Sequence, residues 1–118
     1  MKTLVIGASD NPERYSYIAI NRLLRFNHEV VAIGKREKMV ADVSIQIGLP
    51  VLKNVDTVTL YLNPTNQVPY YDYLLSLKPR RVIFNPGTEN NEFKNKLIEN
   101  DIVVEEACTL VLLSTGQF

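Results

Sequence analysis

The chain has 118 residues, 46% hydrophobic and 22% charged, with 13 Lys and Arg set against 13 Asp and Glu. This length holds one domain with one core, spanning residues 1–118, and the composition excludes disorder, collagen and coiled coil. Zero net charge also excludes a broad basic face for nucleic acid or for an anionic membrane.

In chain order, residues 3–6 open as a strand, Thr-Leu-Val-Ile. Residues 16–26 follow with helical period: Tyr17, Ile20, Leu23 and Leu24 fall at i, i+3 and i+4 spacings, and Ser16 is the predicted N-cap. A second strand covers 29–33. The stretch from 35 to 56 has no clean period, and Gly48-Leu49-Pro50 predicts turns and short irregular pieces there. A third strand at 57–62 leads to a helix at 66–77, with Val68, Tyr71, Leu74 and Leu75 on one stripe. Pro69 falls in its first turn and Pro79 stops it. Arg81–Phe84 is the fourth strand. A helix at 88–99 carries Phe93, Leu97 and Ile98, with Asn100 as a left-handed cap, and residues 102–105 form the last strand.

The near-continuous Val, Ile and Leu of these strands suits a sheet covered on both faces. The predicted fold is therefore α/β: a Rossmann-like, doubly wound, mainly parallel five-stranded sheet in three αβα layers. Such a sheet binds its ligand at the carboxyl ends of its strands, just after residues 6, 33, 62 and 84.

Any anion site belongs to the first half, where residues 1–59 carry eight basic against six acidic side chains. The first strand runs into Gly7-Ala8-Ser9-Asp10-Asn11-Pro12-Glu13-Arg14-Tyr15-Ser16-Tyr17. Gly7 permits a tight turn, small Ala8 and Ser9 admit a phosphate to the backbone, and the next helix presents its positive end. One glycine replaces the three of the usual dinucleotide loop, while Pro12 stiffens the middle. Arg14 supplies a guanidinium able to clamp a diphosphate. The second strand ends in Ile33-Gly34-Lys35-Arg36-Glu37-Lys38. An acid here would hold the ribose of NAD; Lys35, Arg36 and Lys38 instead favour a phosphorylated ribose, as in NADP or coenzyme A. The bland alternative is an ordinary strand-to-helix turn and a solvated basic loop.

The run Gly7-Ala8-Ser9, Asn11-Pro12-Glu13-Arg14, Ser16-Tyr17 resembles the small stand-alone CoA-binding domain proteins of bacteria, the YccU-like group. These in turn resemble the CoA-binding domain of the succinyl-CoA synthetase alpha subunit. The resemblance spans essentially the whole chain, with weaker echoes at Phe84-Asn85-Pro86-Gly87 and at Cys108. It implies a domain that binds coenzyme A or an acyl-CoA by its ADP end, in a group to which no catalytic activity is assigned. Gly7, Ala8, Ser9, Arg14 and Ser16 would hold the phosphates, within the loop that includes Asn11 and Pro12. Gly34, Lys35 and Arg36 would meet the ribose phosphate, Asn63-Pro64 would lie near the adenine, and Asn85 and Gly87 would complete the site. Two positions depart from the family pattern: Gly34-Lys35 replaces Asn-Pro, and Glu106-Ala107 replaces Asp-Arg before the cysteine.

Other constellations give no catalytic site. His28, the sole histidine, precedes the second strand and so lies opposite the expected crevice. Glu105 and Glu106 are strand neighbours and point to opposite faces. Cys108, the sole cysteine, forms no intrachain disulfide and reads as a small buried apolar residue suited to a reducing cytosol. With one cysteine and one histidine, a thiolate metal cluster is excluded and a structural zinc site has almost no candidate ligands. Tyr61, Tyr70, Tyr71 and Tyr73 lack the basic groove that base stacking needs. No apolar run approaches the roughly 18 residues of a membrane span. The expectation is a cytoplasmic domain without nucleic-acid or membrane partners. The apolar segment 109–113 packs over the sheet edge or, if exposed, joins a homodimer. An NADP-dependent enzyme or sensor is the alternative, although no Lys stands four residues after Tyr70, Tyr71 or Tyr73. A protein-interaction module with a vestigial nucleotide pocket is the third reading.

Overall fold

The computed structural model describes residues 1–118. Its centre is β1 (Lys2–Ala8), a strand whose alternate residues are buried on opposite faces. Leu4 and Ile6 enter one core, and Val5 enters the other. β2 (Glu29–Gly34) lies parallel on one side of β1 with Leu4 opposite Val31, and β5 (Val55–Leu60) lies parallel on the other with Leu4 opposite Val58. Beyond β5 come β6 (Arg81–Phe84) and β7 (Val103–Glu106), also parallel. The strand order runs outward from β1 in both directions, which is the doubly wound arrangement.

The sheet has seven strands where five are read from the sequence. The extra pair is a hairpin in the stretch predicted to be irregular: β3 (Met39–Val40) and β4 (Val43–Gln46), joined by Ala41 and Asp42. β4 pairs parallel with β2, while β3 is the sheet's one antiparallel strand. Val40, Val43 and Ile45 are buried against the α1 side of the sheet, so this hairpin extends the core rather than crossing over it.

The helices form the outer layers. α1 (Tyr15–Arg25) buries Ala19, Ile20 and Leu23 against β1 and β2. α5 (Thr109–Ser114) packs its Leu113 beside them, so the apolar tail seals the α1 face instead of the sheet edge. Opposite lie α2 (Pro64–Gln67), α3 (Tyr71–Leu77) and α4 (Asn91–Glu99). Tyr71 stacks on Phe93 at 4.3 Å between centroids, and Phe93 meets Phe84 of the sheet edge-on. The helix predicted at 66–77 is broken: Pro69 lacks the N–H an α-helix needs, and Val68–Tyr70 becomes a 3₁₀ turn between α2 and α3. The caps also differ. Ser16 lies buried inside the first turn of α1 with Arg14 as N-cap, α4 begins after Asn90, and Asp101 rather than Asn100 takes the left-handed conformation.

Candidate functional site

The carboxyl ends of β1, β2, β5 and β6 open into one cleft of about 810 Å³, the size range of a cofactor site. Its first wall is the loop after β1, which holds itself rigid. Ser9 Oγ accepts the Asn11 N–H at 3.1 Å, Asn11 Oδ1 accepts the Glu13 N–H at 3.0 Å, and the Arg14 N–H donates to the Asn11 carbonyl at 3.0 Å. Gly7 makes the turn possible. Its φ is +89°, and a Cβ there would sit 2.9 Å from the Tyr61 carbonyl. Gly34 is required for a different reason: a Cβ would run into the Ala8 carbonyl oxygen, so the ends of β1 and β2 close together only without one.

No side chain caps the N-terminus of α1 and no acid occupies its first turn. Its free N–H groups and the positive end of its dipole therefore face the cleft where Tyr15 and Ser16 line it. Arg14, Lys35, Arg36 and Lys38 line the same cleft, all exposed and none in an ion pair, whereas Asp10 is its one lining carboxylate. Four unpaired cations, an uncapped helix end and one acid give this edge of the molecule a positive potential.

The sequence-predicted site residues divide accordingly. Gly7, Ala8, Ser9, Asn11, Arg14, Ser16, Gly34, Lys35, Arg36, Asn63 and Gly87 line the cleft together. Pro12 and Pro64 stand outside its lining. Asn63 caps α2 by accepting the Asn66 N–H at 2.9 Å. Asn85 is buried away from the main cleft with its amide engaged inside the protein: Nδ2 donates to Thr59 Oγ1 and the Leu60 carbonyl, and Oδ1 accepts the Thr109 N–H. Sequence reasoning missed Tyr15, Leu62, Thr88 and Tyr70 as walls, and it considered Tyr61 only for base stacking.

Two of these walls are tied together from behind. Gln67, fully buried, donates to the carbonyls of Leu62 and Thr88, both at 2.8 Å. Asn90 in turn donates to Gln67 Oε1 and to the Tyr71 hydroxyl. This chain of amides fixes the loops after β5 and β6 at a set separation.

The buried Tyr61 hydroxyl lies beside those of Thr109 and Thr59 without a well-formed hydrogen bond to either, and burial pushes its pKa up to about 12 against their lowering influence. Cys108, half-buried at the start of α5, lies with Tyr61 on a smaller pocket. His28 stands at the amino end of β2, packed edge-on against Phe118 at 4.9 Å. Glu105 and Glu106 diverge to Arg81 and Lys94. No group of three or more His, Cys, Asp or Glu side chains is placed to hold a metal ion, and no helix is long and apolar enough to cross a membrane.

A mostly parallel sheet with a basic, glycine-turned crevice at its carboxyl edge places the chain among the Rossmann-like α/β domains. Within it, residues 1–114 match the CoA binding domain family, and the chain belongs to that family. A crystal structure of an uncharacterized protein is 50% identical, covers 99% of this chain and 97% of its own, and superposes with a TM-score of 0.96. A hypothetical protein from Pyrococcus horikoshii OT3 (21% identity, 96% of this chain and 81% of its own, TM-score 0.87) has the same fold. So does a protein from Thermus thermophilus (21%, 99% and 90%, TM-score 0.86). No curated protein matches this chain.

Proposed function

We propose that the protein binds coenzyme A by its adenosine 3′-phosphate 5′-diphosphate end and catalyses no reaction by itself. The diphosphate lies on the loop after β1 and the N-terminus of α1, clamped by Arg14. The ribose phosphate meets Lys35 and Arg36, and the adenine lies toward Asn63. The observation that carries this reading is the convergence of four unpaired cations and an uncapped helix end on one cleft. A ligand with two phosphate centres, one on the ribose, uses both the loop and the basic turn. Family membership supports coenzyme A over NADP, which the basic turn alone would also accept. The non-catalytic reading rests on the cleft's lining, which has no histidine and one carboxylate, Asp10. General acid–base chemistry has no paired groups there. Thermal denaturation with millimolar coenzyme A, NADP and NAD tests the reading: coenzyme A raises Tm and NAD leaves it unchanged. Equal null responses to all three contradict it.

A further inference from the structure

Residues 107–118 carry no charged side chain, in a chain where 22% of residues are charged. Within this stretch α5 buries only Thr109 and Leu113, although Leu110, Val111 and Leu112 are apolar too. A helix that is apolar on every side is normally covered on every side, yet Val111 is 54% exposed. Beside α5, α1 carries Tyr15, Ile18, Arg22 and Arg25 at spacings of three, four and three residues, which sets them on one stripe. Tyr15 is 70% exposed, and neither arginine takes part in an ion pair. The spacing of this stripe is palindromic, while its chemistry is apolar at one end and basic at the other. Two copies of α1 laid antiparallel across a two-fold axis therefore set Tyr15 against the partner's Arg25, and Ile18 against the partner's Arg22, twice over. A guanidinium over a tyrosine ring is an attractive contact, and the methylene stem of an arginine covers an isoleucine. A parallel arrangement would instead set arginine on arginine.

We propose that the outer face of α1 and α5 joins two copies of this chain as a two-fold dimer, with α1 antiparallel to its counterpart and Val111 in the apolar part of the interface. The occupant of this face is a second copy because the stripe complements itself. The charge-free stretch alongside it brings no like charges together, and the zero net charge of the chain opposes no approach. The inference is independent of the coenzyme A reading.

Sedimentation equilibrium of the whole protein at about 100 μM tests this, and a mass of twice the 13.4 kDa chain is expected. Val111→Lys puts a charge into the apolar part of the interface, and Arg22→Glu/Arg25→Glu removes both cations from the stripe. Each should weaken the dimer about 30-fold or more. All three positions are exposed, so the variants should keep a cooperative urea transition, which separates lost association from lost folding. Glu92→Lys, on α4 in the opposite layer, should leave the dimer unchanged. A chain that sediments at its single mass overturns the proposal. So does a dimer that Val111→Lys or the double variant leaves intact, or one that Glu92→Lys breaks.

Discussion

Asn85 Oδ1 accepts the backbone N–H of Thr109 at 2.8 Å, tying the end of β6 to the start of α5. The same amide donates to Thr59 Oγ1 at 2.6 Å and to the Leu60 carbonyl at 2.9 Å, so one buried side chain links β5, β6 and α5. Asn85→Leu keeps the volume and removes every bond. The Thr109 N–H and the Leu60 carbonyl lose a partner, while Thr59 and Thr109 retain their own hydroxyl–hydroxyl bond. The expected loss is about 2–4 kcal/mol of folding free energy, read by urea denaturation at constant m-value.

Gln67 braces the cleft rather than touching its contents. Gln67→Leu strips the Leu62 and Thr88 carbonyls of their shared donor and leaves Asn90 with an unfilled bond. Stability should fall by roughly 2–3 kcal/mol. Coenzyme A affinity should also fall, because the loops after β5 and β6 lose their fixed spacing. A variant that is destabilised but binds normally would show that the brace serves folding alone.

Stability should respond to pH through two groups. Burial, the amino-terminal ammonium and the Arg81 guanidinium hold the His28 pKa below its ordinary 6.5. The unfolded chain then takes up the proton first. The stability due to neutral His28 is complete above about pH 6.5 and declines as pH falls through 6.5 toward the folded value. The Arg80 guanidinium, bonded to both Asp56 oxygens at 3.0 Å, holds that carboxyl below its ordinary 3.8. Its contribution is present above about pH 3.8 and is lost as pH falls below that. Urea midpoints measured from pH 8 to pH 2 should drop first near 6.5 and again below about 3.8. His28→Phe, which keeps an aromatic ring against Phe118, should abolish that first drop and leave the acid limb intact.

Much of the architecture was legible because the physics is local. Runs such as Leu4-Val5-Ile6 and Val82-Ile83-Phe84 are buried on both faces, and their continuous apolar sequence says so. The β3–β4 hairpin was not legible. Its strands have two and four residues, and Ala41-Asp42 carries none of the Asn-Gly signal that marks a tight hairpin. Thr88 reads as a helix start, yet its hydroxyl bonds back to the Asn85 carbonyl and Asn90 is the true cap. In the cleft, residues directly after strand ends were found, since strand ends converge in this fold. Tyr61 was hidden inside the strand read at 57–62, which ends at Leu60, and Tyr15 and Thr88 became walls only through the order of strands β1, β5 and β6, which no local pattern encodes.

The basic turn after β2 should read the ribose phosphate. Neutralising it in Lys35→Ala/Arg36→Ala should weaken coenzyme A about 10- to 100-fold and leave dephospho-coenzyme A nearly unchanged. Both proteins should lose affinity as salt rises, the unaltered one more steeply, because these exposed charges are screened over about 10 Å at 0.1 M. Equal losses for the two ligands would move the ribose phosphate elsewhere.

The most direct test is calorimetric titration of coenzyme A into the native protein and into Arg14→Ala. Saturable one-to-one binding is expected, weakened by about 1.5–3 kcal/mol, roughly 10- to 150-fold, when the guanidinium is removed. An unchanged affinity in the variant, or no heat from the native protein, would contradict the assignment of this cleft to the coenzyme's diphosphate.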